Sequence, residues 1–286
     1  MKHIKPYKIF ESASPNFPTT RDGVIELCRE YEIENYTIND DLSIDTDGSI
    51  DLSELPLDYL PLRFNYIGNS FECDASGLKT LEGCPKTVEG NFSCSHNNLE
   101  TLKGSPQTVG GDFNCSGNEF LSLEGCPQTV GGGFDCSNCM LNTLKGCPQT
   151  VGGGFYCYIN VLRTLEHSPR IVYEEFSCAY NRLITLKGSP QTVDGHFHCY
   201  NNKLTDLEHF PEVNGTIDIK HNTVNLLVYT FIENADSFMI EDFIDYEIVR
   251  NGDTVMLDRL QTFIRDNDLE MPYFLEEIKK HYKIIE

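Results

Sequence analysis

The chain is short of bases. Its 286 residues hold 22 Lys and Arg against 44 Asp and Glu, a formal net charge of −22. That balance argues against nucleic acid and anionic membrane as partners, because both are polyanions. It leaves room for a basic partner, or for mimicry of nucleic acid. The acids are densest in the flanks, residues 1–69 and 225–286. On a long, exposed chain such charge also serves solubility. No stretch approaches the roughly 18 apolar residues of a membrane span. The start, Met1-Lys2-His3-Ile4-Lys5-Pro6-Tyr7-Lys8, is basic but has no apolar run behind it, so no secretory signal is expected. A Gly-rich phosphate loop, G-x-S-x-G, H-E-x-x-H and a paired-acid motif are all missing. The expectation is a protein that is not an enzyme and needs no cofactor.

What is present is a repeat. Cys73, Cys94, Cys115, Cys136, Cys157, Cys178 and Cys199 stand 21 residues apart. Self-similarity at a fixed period of about 20–50 residues is the signature of a solenoid. Each unit reads F-x-C-S-x-N-x-L-x-x-L-x-G-x-P-x-x-V-x-G-x, as in Phe92-Ser93-Cys94-Ser95-His96-Asn97-Asn98-Leu99. Ile50 and Leu52 lie one period before Phe71 and Cys73. Ile217 and Ile219 continue the register one residue early, because Pro211-Glu212-Val213-Asn214-Gly215 is one residue short. Nine strands are therefore expected, beginning near 50, 71, 92, 113, 134, 155, 176, 197 and 217. At about 4.8 Å per strand they make a parallel sheet roughly 40 Å long.

Alternation assigns the side chains. Phe92 and Cys94 point in, and Leu99, Leu102 and Val109 complete the interior. The Phe column 71, 92, 113, 134, 155, 176 and 197 should stack as a ladder. Asn97, Asn118, Asn160, Asn181, Asn202 and Asn222 sit where the chain leaves the strand. A buried amide there can satisfy the stranded backbone groups of the adjacent coil. Ser76 and Cys139 depart from Asn. About ten residues remain for the return path, and Pro85, Pro106, Pro127, Pro148, Pro169, Pro190 and Pro211 forbid a helix in it. The return should be extended or polyproline-like.

The unit fits the leucine-rich pattern L-x-x-L-x-L-x-x-N/C-x-L, with Phe and Cys in two leucine places. It resembles the short leucine-rich repeats of bacterial effector proteins, on Leu102, Pro106 and Val109. Its Gly-Cys/Ser-Pro-Gln-Thr-Val-Gly-Gly wording is closer to repeats encoded by tailed bacteriophages. Met1-Lys2-His3-Ile4-Lys5 with Phe10-Glu11 resembles a short N-terminal tag of proteins from such phages. The resemblance covers roughly 50–227 and implies a right-handed leucine-rich repeat solenoid of about nine coils, with a parallel sheet on the concave face. Some effectors of this kind carry a ubiquitin-ligase domain with a catalytic cysteine, but no cysteine follows Cys199.

The flanks read as caps. Residues 1–20 are polar, rich in Ser and Pro, and expected to be loosely ordered. Val24, Ile25, Leu27, Cys28 and Tyr31 have helical spacing, and Tyr36-Thr37-Ile38 and Leu42-Ser43-Ile44-Asp45 alternate like short strands. The N-terminal tail and cap thus spans 1–49, and the solenoid 50–227. In 228–286, Phe238 to Ile248, Val255 to Ile264, and Phe274, Leu275 and Ile278 behind Pro272 suggest a mostly helical cap.

The seven repeat cysteines are small hydrophobes in the core, and Cys84, Cys126 and Cys147 share a place with Ser105, Ser168 and Ser189. Reduced thiols are expected, and with them a reducing cytoplasm, which the phage resemblance implies is that of a bacterial host. Cys136 and Cys139 form a C-x-x-C without a second pair, so no metal is expected.

The outward columns point to a binding site. The residue between Phe and Cys runs Glu72, Ser93, Asn114, Asp135, Tyr156, Ser177, His198, Asp218. The residue after Cys runs Asp74, Ser95, Ser116, Ser137, Tyr158, Ala179, Tyr200, Lys220. The late coils gain Tyr156, Tyr158, Tyr180, His196, His198 and Tyr200, and an outward position has no packing reason to become aromatic. The expected function is binding a host or phage protein on the concave face, with no membrane and no direct nucleic-acid contact. Two alternatives stay open. One is an acidic mimic of nucleic acid using Glu233, Asp236, Glu241, Asp242, Asp245 and Glu247. The other is a structural virion component. The sequence leaves the oligomeric state open.

Overall fold

In a computed structural model of the chain, the described residues are 15–222, 243, 246, 248–250, 254–267 and 283–285. Residues 50–222 form a parallel β-solenoid of about eight turns. Nine two-residue strands lie in one sheet in sequence order: Ile50–Asp51, Phe71–Glu72, Phe92–Ser93, Phe113–Asn114, Phe134–Asp135, Phe155–Tyr156, Phe176–Ser177, Phe197–His198 and Ile217–Asp218. Every pairing is parallel, and each Phe faces the Phe one period away. The shortened ninth unit keeps register, with Ile217 opposite Phe197.

The strands are short because one residue type at each place does one job. The first residue of each strand is apolar and inward, and the second faces out. All seven repeat phenylalanines are fully buried. Their rings run as a stack with centroids 5.0–5.7 Å apart. Phe64 meets one end edge-on at 4.9 Å, and Phe210 meets the other edge-on at 5.3 Å. Cys, Leu, Leu and Val columns fill the remaining interior.

The return path is extended and, in addition, paired. Phe64–Ile67, Thr87–Val88, Thr108–Val109 and Thr129–Val130 add in parallel to one sheet. Thr150–Val151, Ile171–Val172, Thr192–Val193 and Glu212–Val213 form another. Proline lacks an N–H, but the residues just after it donate to the coil before: Gln107 N to Lys86 O at 2.8 Å and Gly110 N to Val88 O at 2.9 Å. The backbones come so close here that a methyl on Gly152 would overlap the Gly131 carbonyl oxygen. That close approach is why the turn reads Gly-Gly in several units.

The N-terminal end is covered by the helix Arg21–Glu30, which buries Val24 and Cys28, and by Tyr36–Ile38 paired antiparallel with Ile44–Thr46. Thr20 Oγ1 caps the helix by accepting from Gly23 N at 3.2 Å. Ile44–Thr46 then pairs with Phe64–Ile67, so the cap continues the return-side sheet. The loose order expected for 1–20 does not extend to 15–20. Phe17 is buried, and the Arg63 guanidinium lies 4.4 Å from its ring centroid. A single Phe in a polar stretch carries no period, yet one ring over apolar surface fixes a segment. Residues 1–14 lie outside the described residues.

At the C-terminal end, Val249–Arg250 pairs antiparallel with Thr254–Met256, which pairs parallel with Lys283–Ile285. The helix Leu257–Asp266 follows directly and buries Leu260, Phe263 and Ile264. The helical spacing read from Val255 to Ile264 therefore holds only from Leu257. Thr254 and Val255 are β-branched and take the strand. The residues assigned to a last helix, Phe274, Leu275 and Ile278, lie outside the described residues, as does the acidic run from Glu233 to Asp242.

Candidate functional site

Each coil leaves its strand in the same way. The residue before the Asn column adopts a left-handed conformation: Ala75, His96, Gly117, Asn138, Ile159, Tyr180, Asn201 and His221 have φ between 51° and 68°. This sharp bend turns the next side chain inward. Asn97 then donates from Nδ2 to Cys73 O at 2.8 Å, Cys94 O at 3.1 Å and Ser95 O at 3.2 Å. Its Oδ1 accepts from Ser76 N and Leu78 N. Asn118, Asn160, Asn181, Asn202 and Asn222 repeat the arrangement. Most Cys carbonyls in the column thus receive two asparagines, one from their own coil and one from the next.

Cys139 interrupts this column. Its thiol donates to Cys115 O and Ser137 O, each at 3.2 Å, but offers no carbonyl oxygen. The Phe120 amide, in the place of Leu99, has no acceptor among the described residues. Ser76 substitutes differently, donating through its hydroxyl to Leu52 O at 2.7 Å.

All twelve cysteines are buried and free. Burial pushes up the thiols of Cys73, Cys94, Cys115, Cys136 and Cys178, and those of Cys126 and Cys139 to about 12. A thiol held so far from ionisation is a poor nucleophile at neutral pH. Among the described residues no group of three or more His, Cys, Asp and Glu is placed to hold a metal ion. No helix of theirs is long and apolar enough to cross a membrane.

The outer face of the nine-stranded sheet divides in two. In the early coils its polar side chains close on one another. Asp74 Oδ1 accepts from Ser93 Oγ at 2.5 Å and Ser95 N at 2.6 Å. Asn114 Oδ1 accepts from Ser116 Oγ at 2.8 Å, and Asp135 Oδ1 from Ser137 N at 2.8 Å.

The late coils carry rings instead. Tyr156 is half-buried and lies back over Gly154, where an added methyl would be 2.5 Å from the phenol oxygen. Burial, and then the carboxylates of Glu175, Glu174, Asp135 and Asp112, push its phenol up. Tyr158 and Tyr200 are half-buried, and Tyr180 is 52% exposed. Tyr180 and Tyr200 meet edge-on with centroids 5.3 Å apart. Burial raises the Tyr200 phenol, followed by Tyr180, Asp218, Glu175 and Tyr158. His198 stands 6.3 Å from Tyr200 and 6.0 Å from His196, ring to ring. Its Nε2 is 3.8 Å from Glu175 Oε1, while its buried Nδ1 has no hydrogen-bond partner. His196 is occupied, Nδ1 accepting from Thr216 N at 3.0 Å.

The structure thus links Tyr180, Tyr200, His198 and His196 by ring contacts, while Tyr158 stands two coils from Tyr200 in the same outward column. Tyr156 leans the other way, along its own strand. Two neighbours escaped the sequence reading. Glu175 acts on both Tyr156 and Tyr200, and its column gave the signal: it follows Gly133 and Gly154. Ile159 is 48% exposed in the left-handed place where adjacent coils have Asn138 and Tyr180. A β-branched residue there is a genuine outlier. The chain matches no protein-family model, no curated protein and no solved structure.

Proposed function

We propose that the protein is a non-enzymatic binding module that holds a protein partner on the late coils of its long sheet. The reading takes the solenoid as a leucine-rich repeat of the short type and this sheet as its concave face. It also takes the chain to be phage-encoded and to act on a host or phage protein in the bacterial cytoplasm. One observation carries it. The early face closes its polar groups on itself, whereas the late face presents Tyr158, Tyr180 and Tyr200 with exposed ring surface. Large rings with polar tips form contact surface at low entropic cost, and Tyr is enriched among residues that dominate binding.

The test compares three baits in affinity capture from bacterial lysate: the intact protein, Tyr156→Ala with Tyr158→Ala, and Ser93→Ala with Ser95→Ala. The serine pair should retain the partner. The tyrosine pair should weaken it by about 2 kcal/mol or more, with stability changed by less than about 1 kcal/mol. Equal capture by both pairs refutes the site. Capture by residues 225–286 alone, in competition with DNA and lost steeply with salt, would favour the nucleic-acid mimic instead.

A further inference from the structure

The late face has a chemistry of its own. Ala179 lies one coil from Tyr158 and one coil from Tyr200, about 4.8 Å from each backbone. It is 1% exposed, and Ser95, Ser116 and Ser137 at the same place in ring-free coils are buried too, so this position is a floor of the sheet that adds no bulk between Tyr158 and Tyr200. Tyr180, the next residue, stands beside this floor with half its surface in solvent. Two carboxylates flank the Tyr200 ring: Glu175 Oε1 lies 3.8 Å from His198, whose ring is 6.3 Å from that of Tyr200, and Asp218 stands opposite His198 in the sheet. The whole chain carries −22. Ring faces are negative by their quadrupole, so carboxylates beside them deepen one potential rather than oppose it. A cation gains from both, and an anion from neither.

We infer that Tyr158, Tyr180 and Tyr200, with Glu175 and Asp218 alongside, receive an arginine side chain from a basic segment of the partner. This rests on the reading of the late face as protein-binding and names the chemistry that face selects. Arginine is favoured over lysine by shape. A planar guanidinium can lie flat on a tyrosine while its fork reaches a carboxylate, and it is more weakly hydrated than an ammonium. The cation would displace no structural ion pair, because the Glu175 contact to His198 is long at 3.8 Å. Lys220 continues the column beyond Tyr200, so its charge works against such a ligand.

The experiment measures binding of fluorescein-labelled octa-arginine to the full chain by anisotropy, at about 0.15 M salt to screen distant charges. Tyr180→Ala and Tyr200→Ala leave the net charge unchanged, yet each should weaken binding about fivefold. Tyr200→Phe keeps a ring face and should bind like the intact protein. Lys220→Gln should tighten binding, Ser93→Ala with Ser95→Ala should leave it alone, and octa-lysine should bind about threefold or more weaker than octa-arginine. Equal binding by intact protein and both alanine variants would overturn the proposal, since long-range attraction to an acidic chain would then suffice. Equal affinity for octa-lysine would overturn the choice of arginine. If the tyrosine pair still loses the captured partner while octa-arginine ignores the rings, the face binds protein without a cation. If neither responds, the reading of the face falls as well.

Discussion

Replacing Asn181 by Ala isolates what the asparagine column does. Asn181 Nδ2 donates to Cys157 O at 2.9 Å, Cys178 O at 3.1 Å and Ala179 O at 3.3 Å, and its Oδ1 accepts from Leu162 N at 3.0 Å. The four partners do not suffer equally. Cys157 O keeps Asn160, Cys178 O keeps Asn202, and Ala179 O keeps the Ile159 amide. Only the Leu162 N–H is orphaned, inside a coil where Leu162 is fully buried. The loss is therefore one unsatisfied buried donor, about 1–3 kcal/mol, and not the sum of four hydrogen bonds. Urea unfolding should show a lower midpoint of that size, and the Leu162 amide should exchange faster than its counterparts Leu141 and Leu183. An unchanged midpoint would refute this account of the turn. A loss well above the range would show that the carbonyls do not share their donors as described.

The opposite change should help: Cys139→Asn gives the Phe120 amide an acceptor and Cys136 O a second donor, so the same unfolding assay should show a gain of about 1 kcal/mol. Ile159→Asn should raise stability by about 1 kcal/mol by relieving a β-branched residue at φ 54°, and an unchanged melting temperature would show the bend is not strained. Gly152→Ala should destabilise by about 2 kcal/mol or more, since its methyl has the Gly131 carbonyl to displace; unfolding at the intact protein's midpoint would contradict the close stacking of the return path. Thiol labelling at neutral pH should be slow in the native protein and complete for all twelve cysteines after denaturation, and rapid native labelling of most of them would refute their place in the core.

Much of this fold could be read because the repeat converts position into environment. The nine strands start where the 21-residue period places them, and the inward Phe, Cys and Leu columns are buried throughout. What the period could not show was pairing on the return path. Thr-Val is two residues with one apolar side chain, too short for alternation, and it becomes strand only because the adjacent coil offers the same two residues in register. Phe17 was hidden for a related reason, as a lone ring among Ser and Pro whose partner, Arg63, is distant in sequence. At the site, the outward aromatics were legible as a change of composition along a column. Their grouping was not, because side-chain lean follows from neighbours. Tyr156 swings over Gly154, whereas Tyr180 meets Tyr200, and no spacing rule distinguishes the two.

A solenoid of this kind keeps its core and its outer surface on alternate residues of the same strand. Phe155 and Cys157 are fixed by stacking against identical neighbours, so a change at either disturbs two coils. Tyr156 and Tyr158, alternating with them, face out and answer to no such ladder. The outward columns can therefore vary at little cost to the fold, and they hold small polar groups in the early coils and Tyr156, Tyr158, Tyr200 and His198 among Ser177, Ala179, Asp218 and Lys220 in the late ones. Ile159 extends the argument to the bend itself. Six coils place Gly, Asn, His or Ala there before or after it, residues that are small or tolerate the left-handed turn. An exposed isoleucine held at that bend costs stability and gains nothing in packing, which sets it with Tyr158 and Tyr180 as surface that the proposed partner would use.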